Sequence, residues 1–339
     1  MKAYTIQGPE TVSPVDIDYP SIGARDVLLE VRYVGLCGSD LSSYLGKNPL
    51  LTYPRIPGHE ISGVIIEKGA EVPDTIKLGA RAALSPYTNC GYCPACRSGR
   101  VNTCEFNQTM GVQRDGALTS FVAVPYEKIF ISDLLSLQEL VLIEPLSVGY
   151  HAANRGKISE TDIVLILGCG TIGMGALCAA VRKGATVIAL DIDDSKLVQA
   201  KKFGATFTIH SLQEDPRERI KQITNNEGVS VAVEAAGNPV TYALAIEAVA
   251  FAGRLVFIGY TKNEVLLDTR LIVRKELDVT GSRNALRVFP SVIDMLERRE
   301  MPFTNMITKV FRFEESSDAF SYWKENQGSV SKILIEVKK

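Results

Sequence analysis

Across Val27–Val34, Leu29, Val31 and Tyr33 alternate with Leu28, Glu30 and Arg32, the two-residue period of a half-buried strand. A second apolar run, Glu60–Glu67, is followed by Lys68 and Gly69. Gly and Pro punctuate the chain up to about Pro125, as many short strands joined by turns require. Beyond about Pro145 short apolar runs alternate with helical segments. Ile163–Leu167, Thr186–Leu190, Phe207–Ile209, Val229–Val233, Arg254–Ile258 and Leu277–Thr280 are six candidate strands. Ser195–Phe203 is expected to be helical, with Asp194 or Ser195 as N-cap and Gly204 as terminator, and Arg217–Thr224 and Thr241–Phe251 fill two later gaps. Such alternation predicts a parallel sheet covered on both faces. After about Arg287 the pattern is mixed again and closes in a strand-like run, Lys332–Val337.

The chain has 339 residues, which suggests two domains, and its 46% hydrophobic and 22% charged content is that of a soluble globular protein. A net charge of -2 argues against an electrostatic grip on nucleic acid or an anionic membrane. Ile163–Val181 carries no charge over a length that a membrane span needs, but Gly168, Gly170, Gly173 and Gly175 favour a strand, a glycine turn and a helix. Met1–Val15 lacks the apolar stretch of a secretory signal, so a cytoplasmic location is expected. Of seven cysteines four fall between Cys90 and Cys104, and in a reducing compartment clustered cysteines read as metal ligands.

Gly168-Cys169-Gly170-Thr171-Ile172-Gly173 follows a predicted strand and opens a helix. In a G-x-G-x-x-G the first glycine makes the tight turn and the second lets the backbone approach a pyrophosphate. The third lets helix and strand pack closely, with the helix N-terminus aimed at the phosphates. The next strand ends at Asp191, placed to receive the adenosine ribose hydroxyls and to repel a 2′-phosphate, which favours NAD over NADP; Lys196 is within reach of the same ribose.

Cys90, Cys93, Cys96 and Cys104 suit a closed tetrahedral structural zinc, with an iron–sulfur cluster as the alternative. A zinc ribbon for nucleic acid lacks basic surroundings, since Arg97 and Arg100 are the only nearby cations. A second, dispersed set combines Cys37, His59 and Glu144: one thiolate, one imidazole and one carboxylate, three ligands with a fourth position left open, as a catalytic zinc requires.

The Gly58-His59-Glu60 motif, the four-cysteine lobe, Glu144-Pro145 and the glycine fingerprint occur in an order that resembles the zinc-containing medium-chain dehydrogenase/reductase (alcohol dehydrogenase) family over essentially the whole chain. Leu142–Gly149 and Gly281-Ser282-Arg283-Asn284 are most similar to the sorbitol, threonine and L-galactonate-type dehydrogenases. The resemblance implies an α/β protein: a GroES-like β-barrel catalytic domain over residues 1–147, a doubly wound parallel-sheet (Rossmann) domain over 148–286, and a return to the catalytic domain over 287–339. It implies an NAD-dependent oxidoreductase of CH–OH groups with one catalytic and one structural zinc, acting on a sugar acid or polyol in a cleft between the domains. Threonine or a short diol is the alternative substrate, and a non-catalytic NAD- and zinc-binding protein the alternative of another class. A zinc-free reductase of the same superfamily would lack Cys37, His59 or Glu144.

By the same resemblance Ser39 takes the alcohol proton and Asp40 orients the zinc-bound His59. Glu60 competes with Glu144 for the metal. Tyr44, Arg283 and Asn284 are candidate substrate contacts, and Arg283 is suited to clamp a carboxylate. Arg114 and Asp115 are expected to pair with each other on the surface, and His151, His210, Cys169 and Cys178 to be structural. A homodimer or homotetramer joined through the nucleotide-binding domains is implied, with the Arg254–Tyr260 strand near the seam. One departure stands out: many relatives carry a histidine five residues after the zinc cysteine, and here that place is Ser42.

Overall fold

A computed structural model describes residues 1–261 and 264–338. The chain forms two compact units, one of Met1–Glu144, Phe289–Arg299 and Phe303–Lys339, the other of Pro145–Val288 and Glu300–Pro302. The first unit opens with strands β1 (Lys2–Gly8), β2 (Thr11–Asp16), β3 (Asp26–Leu36), β4 (Glu60–Lys68), β5 (Arg81–Leu84), β6 (Phe121–Pro125) and β7 (Ile129–Ile131). The second holds β8 (Ile163–Leu167), β9 (Thr186–Asp191), β10 (Phe207–His210), β11 (Val229–Glu234), β12 (Val249–Phe257) and β13 (Asp278–Gly281). The chain returns to the first unit with β14 (Ile307–Arg312) and β15 (Lys332–Glu336).

In the first unit β1 and β2 form a hairpin, and a seven-stranded sheet runs β14-β15-β3-β4-β5-β7, with β6 also on β3. The eleven residues of β3 are long enough to be shared, so β15 pairs with Tyr33–Leu36 and β6 with Asp26–Glu30, while β4 lies along the other side. Val27, Leu29, Val31, Val34, Ile61, Ile65, Ile333 and Ile335 fill the core between.

The second unit is a parallel sheet in the order β10-β9-β8-β11-β12-β13, the doubly wound order in which the chain starts in the middle and reverses once. All of Val164–Leu167 is fully buried, as a central strand covered on both faces must be. The uncharged run Ile163–Val181 is β8, a turn and most of the helix Thr171–Arg182, and among the described residues no helix is long and apolar enough to cross a membrane.

Two boundaries differ from expectation. The helix Asp194–Lys202 is capped by Asp193, whose Oδ1 accepts the Lys196 N–H at 3.1 Å, rather than by Asp194 or Ser195. The helix expected over Thr241–Phe251 is Pro239–Ala248, and β12 begins at Val249. The Lys275 ammonium collects the carbonyls of Ile246, Glu247 and Val249, ending the helix where local periodicity would have carried it on.

Candidate active site

Strand β3 ends at Leu36 and the chain turns at Cys37 into the helix Gly38–Tyr44. The turn is fixed by fully buried Asp40, whose carboxylate accepts the Cys37 N–H at 2.8 Å and the Gly58 N–H at 3.4 Å. One residue beyond Gly58, buried His59 places Nδ1 3.8 Å from Asp40 Oδ1, and that nitrogen has no hydrogen-bond partner. Burial opposes a charged imidazole here, but Asp40, Cys37 and Glu144 together raise the His59 pKa well above its ordinary value. Cys37, His59 and Glu60 have donor atoms all within 4.8 Å of one another. Such a set, with an orphaned buried nitrogen and two groups that carry negative charge when ionised, fits a divalent zinc.

The two competing carboxylates are held differently. Glu60, fully buried at the start of β4, receives the Lys332 ammonium at 2.7 and 2.5 Å, and Lys332 also donates to the Leu36 carbonyl at 3.0 Å. Register explains the meeting: Gly35 lies opposite Glu60 and Leu36 opposite Ile333, so Lys332 arrives just past the end of β3. A Cβ at Gly35 would stand 2.3 Å from the Glu60 carboxylate, so only glycine leaves room for it. Glu144 accepts the hydroxyl of buried Tyr87, and burial pushes its carboxyl up to about 7. Glu144 is outside the three-residue donor group. Lys332 and Tyr87 escaped the sequence reading, because neither carries a motif and both are brought in by strand register and loop packing.

Ser39 is half-buried on the Gly38–Tyr44 helix, as is Ser42 one turn on. Tyr44 is buried, its ring tilts against Phe320 at 5.3 Å, and its hydroxyl is 3.5 Å from that of Ser321. In the second unit Arg283 is exposed and Asn284 half-buried just after β13, with Asn284 in left-handed conformation at φ 52°. Arg114 and Asp115 do not pair. Asp115 takes Arg55 at 3.2 Å and the Ile56 N–H at 3.2 Å, whereas Arg114 reaches only carbonyls. His151 is buried, and His210 lies 3.8 Å from Asp194. Cys169 and Cys178 are fully buried, which raises both thiol pKa values far above the ordinary range.

The four lobe cysteines are free thiols gathered on one point. Cys90 and Cys96 sulfurs are 3.9 Å apart, and those of Cys93 and Cys104 4.0 Å. The edge of a tetrahedron around zinc with bonds of about 2.3 Å is about 3.8 Å, so the cage already has the metal's dimensions. Backbone N–H groups of Cys90, Cys93 and Cys96 point at the sulfurs of Cys104, Cys90 and Cys93. Those of Glu105 and Cys96 lower Cys93 to about 6, while burial and the neighbouring sulfurs push Cys96 up to about 11, since four thiolates this close need a cation between them.

The glycine turn separates into three tasks. Gly168 has φ 94°, and a Cβ there would meet the Ala236 N at 2.9 Å. A Cβ on Gly173 would strike the Gly168 carbonyl at 1.9 Å, while Gly170 has nothing within 4 Å and faces open space. Gly170 caps the twelve-residue helix Thr171–Arg182 without a side-chain hydrogen bond, and Thr171 and Ile172 begin that helix. Asp191 ends β9 and accepts the N–H groups of Cys169 and Ile192 at 2.7 Å and of Asp193 at 3.1 Å, tying the glycine turn to the next strand. Lys196 is half-buried on the helix that follows.

Comparison with known proteins agrees with both halves. Residues 23–133 match the family model of the alcohol dehydrogenase GroES-like domain, and 171–298 that of the zinc-binding dehydrogenases. The chain is 35% identical to sorbitol dehydrogenase of Bacillus subtilis, over 99% of this chain and 97% of the relative. It is 30% identical to L-galactonate-5-dehydrogenase of Escherichia coli, over 94% of each. Among solved structures, an alcohol dehydrogenase (RspB) from Escherichia coli CFT073 complexed with NADH superposes with a TM-score of 0.92 at 30% identity, over 99% of both chains. The chain belongs to the zinc-type medium-chain alcohol dehydrogenase family, built of a GroES-like and a Rossmann-type half.

Proposed function

We propose that this NAD-dependent alcohol dehydrogenase oxidises a secondary hydroxyl of a sugar acid or polyol. The observation that carries the reading is the donor set of half-buried Cys37 with buried His59 and Glu60, in a chain whose other unit presents an open Gly170 at a helix N-terminus. Sorbitol and L-galactonate dehydrogenases among the relatives support the substrate class.

Cys37, His59 and Glu60 would hold the catalytic zinc, with Glu144 in reserve on Tyr87, and zinc when bound supplies a Lewis acid for the substrate hydroxyl. NAD supplies the hydride acceptor. Asp40 fixes the Cys37 turn by accepting its N–H, and its charge 3.8 Å from His59 Nδ1 favours one orientation of the ring without a hydrogen bond. Ser39 passes the alcohol proton on. With Ser42 where relatives have histidine, the proton leaves through the Ser42 hydroxyl or solvent rather than an imidazole. The N–H groups behind Gly170 bind the pyrophosphate, with Gly168, Thr171, Ile172 and Gly173 shaping that turn. Three backbone N–H groups use three of about four acceptor sites on the Asp191 carboxylate, leaving one for a ribose hydroxyl; Lys196 stands beside it. Cys90, Cys93, Cys96 and Cys104 would hold the structural zinc. Arg283 and Asn284 are the second unit's candidates for substrate hydroxyls.

The test is reduction of NAD+ and NADP+ over a panel of aldonates, alditols and short diols, with Cys37→Ala beside the wild type. Turnover of an aldonate or alditol with NAD+ is expected, and Cys37→Ala should lower it on the order of a thousandfold. Preference for a short diol, or unchanged turnover in Cys37→Ala, would defeat the reading.

A further inference from the structure

Arg114 is half-buried, yet among the described residues no carboxylate lies within 4.0 Å of it. Its guanidinium spends two of five donors on long bonds, Nε to the Gln108 carbonyl at 3.3 Å and Nη2 to the Pro86 carbonyl at 3.4 Å. Half-buried Arg254 is treated differently: Asp162 and the carbonyls of Gly156 and Lys157 satisfy it. The one carboxylate beside Arg114 in sequence, Asp115, is committed to Arg55. A second cation flanks the same segment. Lys128 is half-buried, its ammonium rests on Asn89 Oδ1 at 3.3 Å, and its charge is disfavoured first by burial and then by nearby Arg114. Adjacent Glu127 is paired with Arg25 and supports the Lys128 charge without forming an ion pair with it.

The loop that carries Arg114 is clamped against both walls of the candidate metal centre. On one side Gly116, Ala117 and Leu118 donate to the carbonyls of Ile56, Gly58 and Pro57 at 2.7 to 3.0 Å, directly before His59. A Cβ at Gly111 would meet Gly58 N at 2.8 Å and one at Gly116 the Pro57 carbonyl at 2.4 Å, so the contact is as close as backbones allow. On the other side Met110 N–H and the Arg114 guanidinium share the Pro86 carbonyl, one residue before Tyr87, whose hydroxyl meets Glu144. Arg114 and Glu144 are thus joined through Pro86 and Tyr87, the guanidinium on the carbonyl before that tyrosine and Glu144 on its hydroxyl.

We infer that Arg114, supported by Lys128, binds the anionic terminus, carboxylate or phosphate, of the substrate and so sets the enzyme's preference for acidic over neutral polyols. The inference rests on the dehydrogenase reading above and replaces Arg283 with Arg114 as the acid-binding residue. A guanidinium with three free donors takes a carboxylate or phosphate through paired hydrogen bonds, which an ammonium does not reproduce.

The experiment uses the full-length zinc-loaded enzyme with D-glucitol, D-gluconate and D-glucitol 6-phosphate, comparing wild type, Arg114→Gln, Arg114→Lys and Arg283→Ala. Arg114→Gln should raise KM for an anionic substrate about ten- to a hundredfold relative to D-glucitol, with kcat changed far less. Arg283→Ala should leave that ratio alone. Partial rescue by Arg114→Lys marks a phosphate, and no rescue marks a carboxylate. Equal KM changes for all three substrates, or an unchanged ratio, would overturn the inference. Thermal stabilisation by D-gluconate and by inorganic phosphate at fixed ionic strength gives a readout without turnover. Stabilisation of the wild type that is lost in Arg114→Gln, without turnover of any substrate, would keep the anion site and sink the dehydrogenase reading. No anion-dependent stabilisation of the wild type, with turnover of D-glucitol alone, would overturn the site and keep the dehydrogenase.

Discussion

Lys332 shows how much one residue far along the chain decides at this site. It joins Glu60 across 272 residues, and both are all but excluded from solvent. A buried pair is weak evidence for net stability, but removing one partner strands the other charge. In the zinc-free protein Lys332→Met should therefore destabilise the fold by about 3–5 kcal/mol, and Glu60→Gln in the same chain should restore most of that loss. Urea denaturation of wild type, both single variants and the double variant measures the coupling, and additive effects would show that the pair is not a unit. Sequence spacing cannot reveal such a pair: the lysine opens an ordinary apolar run, and its inward direction follows from the β15–β3–β4 register. Cys37, His59 and Asp40 were legible because short glycine-bounded motifs announce them. Arg114 and Asp115 were misread for the opposite reason, since adjacency in sequence suggested a pair that Arg55 takes apart.

At the scale of elements, the parts built from local periodicity or local spacing were the legible ones. All six strands of the parallel sheet fell where short apolar runs stood, most cleanly for the central β8, whose Val164–Leu167 is buried on both faces and admits no polar residue. The start of β12 was missed, because the helix before it is stopped by Lys275 from a later helix, not by a cap of its own. The cysteine lobe is an element of another kind. Its core is Cys93, Cys96 and Cys104 with Cys90, Ala95 and Val101 against them, and its regular structure is one helical turn, Pro94–Arg97, and a 3-10 turn, Val101–Thr103. So little apolar surface does not hold a loop without metal. Cys96→Ser should reduce bound zinc by about one ion per chain while NADH binding to the other unit persists. A chelator, or that substitution, should also open Arg97 and Arg100 to trypsin; resistance to cleavage in metal-free protein would show that the lobe folds without zinc.

For the whole molecule, the parallel sheet of the second unit raises the question of assembly. The Arg254–Tyr260 strand expected near a subunit seam is mostly β12, and it is covered on both sides, by β11 and β13. The open edge beside it is β13, a short strand with Val279 about two-fifths exposed. In the segment between β12 and β13, Tyr260, Leu266 and Val273 are each more than three-quarters exposed. An unpaired edge next to apolar side chains is a surface that a soluble protein ordinarily covers. A second copy is the simplest cover, because a two-fold axis brings β13 against its own counterpart and closes both edges at once. The expected state is then a homodimer joined through the nucleotide-binding units, or a tetramer built from such dimers. Val279→Lys places a charge at that edge without touching Gly168–Gly173 or Asp191, so it should lower the mass seen by light scattering to that of one chain while NADH binding survives. If the wild type is a monomer, or if Val279→Lys leaves the oligomer intact, the seam lies elsewhere and the exposed apolar groups of β13 need another partner.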